Sequence, residues 1–289
     1  MLCTMLIIKM TGIQTINSII KAIINSVDIN RTLPSKHLYQ SQVDLLTLAY
    51  KQIGVLNFGN TNTTGEFFAL NYIAKKYITK TNCVLFDVGA NGGHYSKLLR
   101  EIFPEAIIYA FEPLPRNYSL LKNNLADHDV HTIHSGLGST STKLIMYSSS
   151  EDETGELATF YKHALLDLYK AENILEFEVD IKTLDDFCEL HNIHFIDFCK
   201  IDVEGHELEV LQGAREMILG NRINIIQFEF NEINVISRVF LRDFYQILAD
   251  YNLYRIKKDF LIPMFDYDSK NEIFKYQNIL AIRKAIDSK

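Results

Sequence analysis

The sequence predicts an α/β protein with a doubly wound, mostly parallel sheet, an antiparallel strand pair at its C-terminal end and a helical extension in front. Three observations carry this. From residue 84 onward, short apolar runs alternate with segments of helical spacing, and strands separated by helices pair in parallel with both faces covered. The first run, Val84-Leu-Phe-Asp-Val88, turns on glycines straight into a helix. The last two runs, 253–257 and 278–283, have only a connection between them, which makes them an antiparallel closing pair.

The elements follow in order. Ile13, Ile16, Ile19, Ile20, Ile23, Ile24 and Val27 recur at helical spacing. A helix lying on a membrane would line its polar face with Lys and Arg, and only Lys21 is there, so this stripe is expected to dock on the body of the protein or to form a homodimer. A second helix is expected over 43–50. Thr63-Thr-Gly-Glu66 reads as a capping box for a helix through Phe67, Leu70 and Ile73. Then come strand 84–88, helix 95–102, strand 107–111, helix 117–125 and strand 131–133. Residues 139–183 interrupt the rhythm with a strand at 143–147, an acidic loop at 148–156, a short helix near 164–169 and a strand at 177–182. This insertion is either a wall of the substrate pocket or a surface excursion. Helix 184–191, strand 195–201, helix 207–218, strand 224–230 and helix 238–250 resume the alternation before the closing pair. The division expected is an extension over 1–62 and one domain over 63–289.

Composition narrows the partners. The chain has 289 residues, 47% of them hydrophobic, with a formal net charge of −7. That is enough for a sizeable core, and no Lys/Arg block exists to recruit nucleic acid through counterion release. The four cysteines form no Cys-x-x-Cys pair, so neither a metal site nor a disulfide framework is expected, and a reducing cytoplasmic setting fits. The run Leu2 to Ile8 is broken by Lys9 and lacks the marks of a signal peptide. No stretch approaches the ~20 apolar residues of a transmembrane helix.

In an open parallel sheet the ligand lies beyond the carboxyl ends of the strands, where strand order reverses, so polar residues at strand ends should converge. The first strand offers Asp87, then Gly89, Ala90, Asn91 and Gly92; the second offers Glu112 and Pro113; the third, Ser135, Gly136, Leu137 and Gly138; the fourth, Asp202 and Glu204; the fifth, Glu229 and Asn231. A glycine turn at a helix N-terminus presents backbone N–H groups to a ligand. Asp87 beside that turn disfavours a pyrophosphate and favours a ligand with an ammonium and a sulfonium, S-adenosylmethionine. Glu112, about 20 residues after the turn, is placed to accept hydrogen bonds from ribose hydroxyls. Asp202 and Glu204 would face the reactive methyl group and an incoming hydroxyl, whose proton a positioned base removes at a gain of about 10²- to 10⁴-fold. Glu204 is equally readable as a helix cap. His94 and His206, both just past glycine turns, are structural or basic. Asp202, Glu204 and Glu229 form a grouping that suits Mg²⁺, which methyl transfer to an alcohol does not require.

Five segments in order, Phe86-Asp-Val-Gly-Ala-Asn-Gly-Gly93, Tyr109-Ala-Phe-Glu-Pro113, 117–125, Thr183-Leu-Asp-Asp186 and Lys200-Ile-Asp-Val-Glu-Gly-His-Glu207, resemble the FkbM family of S-adenosylmethionine-dependent methyltransferases over roughly 66–284. The resemblance implies a Rossmann-like methyltransferase fold with a seven-stranded sheet and O-methylation of a hydroxyl, often on a sugar of a surface glycan or lipopolysaccharide. It implies cofactor roles for Asp87, Gly89, Asn91 and Glu112 and a site role for Asp202 and Glu204. The cofactor set expected is Asp87, Gly89, Ala90, Asn91, Gly92, Glu112, Pro113, Gly136, Leu137 and Asp202, and the catalytic set is Asp202, Glu204 and His206. The alternatives are a non-catalytic nucleoside-binding scaffold and a nicotinamide oxidoreductase. The second is disfavoured by Asp87 and by the missing third glycine of Gly-x-Gly-x-x-Gly.

Overall fold

The computed structural model describes residues 35–150 and 157–287. The helix expected over 13–27 and the acidic residues 151–156 lie outside the described residues. The chain forms two compact units, residues 1–49 and 50–289. A helix, Ser35–Gln52, starts before and ends after the expected 43–50.

The second unit is built on one large sheet. Its strands are β1 (Val84–Val88), β2 (Ile107–Phe111), β3 (Val130–Ile133), β7 (Ile196–Ile201), β8 (Ile223–Phe230), β9 (Tyr251–Lys257), β10 (Phe260–Pro263) and β11 (Gln277–Arg283), with β4 to β6 in a separate small sheet. The spatial order is β10-β9-β11-β8-β7-β1-β2-β3, parallel from β8 to β3 and antiparallel from β8 outward through β11 to β10. The chain runs from β1 outward to β3 and then returns to the other side of β1 as β7. The order therefore reverses between β1 and β7, and that is where a crevice opens in this architecture.

Period-2 alternation assigns the strand residues to two apolar layers. Phe86, Val88, Cys199 and Ile201 face a core shared with Leu184, Phe187, Val210, Leu211 and Phe244. Leu85, Phe198 and Ile225 face the other, with Leu70, Ile73, Tyr95 and Leu99. Burial of one such side chain stabilises by about 1.5–3 kcal/mol, so both helix layers are fixed to the sheet by their apolar stripes.

Four expectations need correction. The sheet has eight strands rather than seven, because Phe260–Pro263 folds back on β9 as an edge hairpin; the run is short and ends in proline, which is tolerated at an edge. The helix expected over 207–218 is two, Glu207–Gln212 and Arg215–Leu219, because the loop after Leu137 crosses at Gly213, where a Cβ would stand 1.9 Å from the Gly138 carbonyl oxygen. The helix expected over 238–250 is shorter, Leu241–Ile247, and a helix that was not expected, Ile233–Ser237, precedes it and ends at Arg238 with φ 58°. The capping box at 63–66 does not form. Thr61–Thr64 is its own short turn of helix, Gly65 adopts φ 91°, and the next helix, Glu66–Lys76, has no side-chain cap.

The insertion is a three-stranded sheet, β4 (Gly136–Leu137), β6 (Ile174–Lys182) and β5 (Thr142–Ser149), with a π-helix at Ala164–Leu168. Its small core, Met146, Ala158, Val179 and Ile181, is closed by Leu114 from the turn after β2.

Candidate functional site

The carboxyl ends of β1, β2, β4, β7 and β8 open into one cavity of about 980 Å³. Gly89 sets its floor. It adopts φ 83°, and a Cβ there would stand 1.8 Å from the Asp202 carbonyl oxygen, so only glycine lets the turn after β1 lie against the end of β7. The Asp202 N–H donates to the Val88 carbonyl at 2.9 Å, locking the two strand ends together.

The turn's N–H groups are not presented to a ligand as the sequence suggested. Gly89 and Ala90 donate to the Phe111 carbonyl at 3.0 and 2.8 Å, Gly93 donates to Ala90 at 2.8 Å, and Asn91 donates to Glu112 Oε2 at 3.0 Å. These four donors are spent within the protein, so this stretch of backbone is no anion nest. Glu112, at the tip of β2, also accepts from Leu114 N at 2.8 Å through Oε1. Each of its oxygens keeps a lone pair for a ligand hydroxyl. Burial pushes the Glu112 carboxyl up to about 7 against the two backbone donors that lower it.

Of the residues expected in the site, Gly89, Ala90, Asn91, Gly92, Glu112, Pro113, Gly136, Leu137, Asp202 and Glu204 line the cavity. Asp87 and His206 do not, which corrects the contact expected of each. Asp87 is 0% exposed; its Oδ2 accepts the Ser96 hydroxyl at 2.6 Å, pinning the helix His94–Ile102 beneath the turn. Burial raises its carboxyl, with Lys200 and Ser96 opposing. His206 packs 4.6 Å from Phe160 with Nδ1 3.3 Å from the Tyr161 hydroxyl, and burial depresses it to about 4, leaving the ring neutral. The capping role open to Glu204 falls to Glu207, whose Oε1 accepts from Val203 N and Gly205 N at 3.1 Å each. Glu204 itself sits at φ 52°, with its carbonyl held by the Thr159 hydroxyl at 2.7 Å.

Sequence reasoning missed a buried polar chain across the cavity's inner wall. Lys200, 6% exposed, places Nζ 2.8 Å from Asp202 Oδ2 and 4.6 Å from the Tyr95 ring centroid. The Tyr95 hydroxyl donates to Gln227 Oε1 at 3.0 Å, and Gln227 Nε2 donates to Glu66 Oε1 at 2.9 Å. The Glu66 Oε2 in turn accepts from Thr64 at 2.9 Å. Burial alone would lower the Lys200 ammonium, but Asp202, Asp87 and Glu66 outweigh it and hold it above its ordinary value. Burial raises Glu66. The one sequence signal was a lone cation, Lys200, in a strand whose other charged residue is Asp197. Glu229 and Tyr276 also line the cavity, as do Met146, Ala158 and Phe160 of the insertion. Six acids, Glu66, Glu101, Glu112, Asp202, Glu204 and Glu229, and two lysines, Lys97 and Lys200, line the cavity, and Lys200 is already paired. Such a wall favours a cationic ligand over an anionic one. Among the described residues no group of His, Cys, Asp and Glu has metal-site geometry.

Comparison with known proteins adds to this geometry. Residues 87–255 match the methyltransferase FkbM domain. Methyltransferase 1 of Beauveria bassiana is 31% identical over 45% of this chain and 57% of its own length. The 2-O-methyltransferase NoeI of Sinorhizobium fredii is 22% identical over 54% of this chain and 67% of its own length. The hexuronic acid methyltransferase AglP of Haloferax volcanii is 29% identical over 52% of this chain and 56% of its own length. The chain thus spans little more than half the length of the first of these.

Proposed function

The chain belongs to the FkbM methyltransferase family, and on that premise we propose that it transfers a methyl group from S-adenosylmethionine to a hydroxyl, the acceptor being a sugar of a glycan or lipopolysaccharide. One observation carries this reading: the Glu112 carboxylate is bonded to the glycine turn at Asn91 N, 3.0 Å, and lines the same cavity as Asp202. That arrangement gives a hydroxyl-accepting acid and a paired acid in one hollow.

Glu112 would hold the ribose hydroxyls, with Gly89 to Gly92 beneath and Pro113, Gly136 and Leu137 beside the nucleoside. Asp202, oriented by Lys200, would face the donor's positive end. Asp87 would act at one remove, through Ser96. The bound donor supplies an electrophilic methyl on a positively charged sulfur. The chain supplies the approach geometry, the acid-rich wall that suits that charge, and a carboxylate to take the hydroxyl proton. A dinucleotide is poorly served, since the turn's N–H groups are spent on Phe111, Ala90 and Glu112. The sugar acceptor is supported by the names of the two relatives that act at a 2-O position and on a hexuronic acid.

The test is release of S-adenosylhomocysteine by the purified chain from S-adenosylmethionine with neutral, amino and uronic sugars as acceptors. Sugar-dependent release supports the proposal. Cofactor binding without release on any acceptor supports a scaffold that binds the nucleoside and transfers nothing.

A further inference from the structure

Glu229 ends β8 on the cavity wall and is 7% exposed. Its Oε1 accepts the Asn231 amide, and among the described residues no hydrogen bond reaches Oε2, whose side of the carboxyl meets the cavity. The groups facing it are Asp202 and Glu204 from the end of β7, Glu207 behind them, Tyr276 before β11 and Tyr169 after the π-helix. Across the strand pair Asn278 is spent on Gln227 and Tyr276. The charged members of this set are all acids. The buried cation on the same wall, Lys200, is held by Asp202 at 2.8 Å, and Lys275 is held by Glu232 at 3.1 Å. Burial first, and these acids second, raise the Glu229 carboxyl well above its ordinary range.

We propose that Glu229 is the proton acceptor of this cavity and that the donor's charge switches it on: it keeps a proton in the free protein and releases it when a sulfonium sits in the same hollow. The proposal rests on the methyl-donor reading above. A positive charge within about 4–6 Å changes a carboxyl's proton affinity by roughly 10- to 1000-fold, whereas the neutral sulfide of the product has no such effect. As the acceptor oxygen gains the methyl carbon, the carbon–sulfur bonding pair stays on sulfur and the hydroxyl proton passes to the Glu229 carboxylate. One cation and one anion are thereby neutralised together, and Glu229 ends as it began. Asp202 is the poorer candidate because its Oδ2 is occupied by the Lys200 ammonium.

Calorimetry on the full chain at pH 7, in phosphate and in Tris, gives the protons released per ligand bound. S-adenosylmethionine and S-adenosylhomocysteine both carry the ribose, so any proton from Glu112 appears equally with each. The expected result is an excess of about one proton for S-adenosylmethionine, abolished in Glu229→Gln with the melting temperature checked. Equal release with the two ligands, or an excess that survives in Glu229→Gln, overturns the proposal. As a second measure, the Glu229 carboxyl ¹³C resonance, assigned by its loss in Glu229→Gln, titrates at lower pH with S-adenosylmethionine than with S-adenosylhomocysteine; equal titration with the two overturns the proposal. No binding heat from either ligand overturns the donor reading itself, an outcome distinct from binding without the extra proton.

Discussion

Glu112→Gln separates what this residue does for the ligand from what it costs the fold. In the folded chain the carboxyl is raised from 4.5 to about 7 by burial. For an acid, a folded value above the unfolded one means that the ionised form is disfavoured by folding. Stability at this site is therefore complete below about 4.5 and is lost as pH rises through about 7. The loss is about 3 kcal/mol at pH 8, for a residue only 4% exposed. Glutamine carries no charge to desolvate, but its Nε2 cannot accept, so one of the backbone donors Asn91 N and Leu114 N loses its acceptor; Glu112→Gln is expected to start below wild type in urea denaturation at pH 5 and to gain about 2–3 kcal/mol on it by pH 8. The ligand should respond in the opposite sense, because the ionised acid accepts two ribose hydroxyls and the amide accepts fewer. Loss of one hydrogen bond to a charged group weakens S-adenosylhomocysteine binding by about 1.5–3 kcal/mol, or roughly 10- to 150-fold in Kd. In wild type the affinity should also fall about tenfold per pH unit below 7, while the variant stays flat. A variant that binds like wild type at pH 8, or that gains no stability relative to wild type between pH 5 and pH 8, would refute this account of Glu112.

Lys200→Met removes the buried counter-charge of Asp202 and is expected to cost about 3 kcal/mol. The raised Glu66 and Asp87 are protonated more readily at low pH, so the deficit should shrink between pH 8 and pH 5 in urea melts, and an equal deficit at both would count against the pairing. Gly89→Ala, with its Cβ 1.8 Å from a carbonyl oxygen and φ at 83°, should yield little folded protein, whereas Gly92→Ala, whose nearest neighbour is 3.6 Å away, should melt within about 1 kcal/mol of wild type by circular dichroism. His206 is depressed from 6.5 to about 4, so its share of stability is present above 6.5 and is lost as pH falls toward 4; an imidazole NMR signal titrating near 6.5 would contradict its burial.

Strand bounds were legible wherever a buried run had clean punctuation. The strand expected over 107–111 is found as Ile107–Phe111, because an exposed loop and Glu112-Pro113 close it on either side. Gly89, Glu112 and Asp202 were placed at the cavity by the same logic, since each stands where a covered strand surfaces. What could not be read depended on groups distant in sequence. Glu66 looked like a helix cap because its hydrogen-bond partner Gln227 lies 161 residues away. The direction of Asp87 depends on Ser96 from the next helix, and the break at Gly213 depends on the backbone of Gly138. Local pattern located the strand ends, but which side chains turned into the hollow was decided by long-range contacts.

The lining residues Met146, Ala158 and Phe160 rest on a small core that Leu114 closes from the turn after β2, while Gly89 and Glu112 stand on the large sheet. The two are joined near the reacting centre by the Thr159 hydroxyl on the Glu204 carbonyl. If the proposed function holds, acceptor choice and donor capture are encoded in different parts of the chain. On the proposed reading, a transplanted insertion that preserves this tether and the Phe160 and Tyr161 contacts to His206 should redirect the transfer to another alcohol with the affinity for S-adenosylmethionine left as it was.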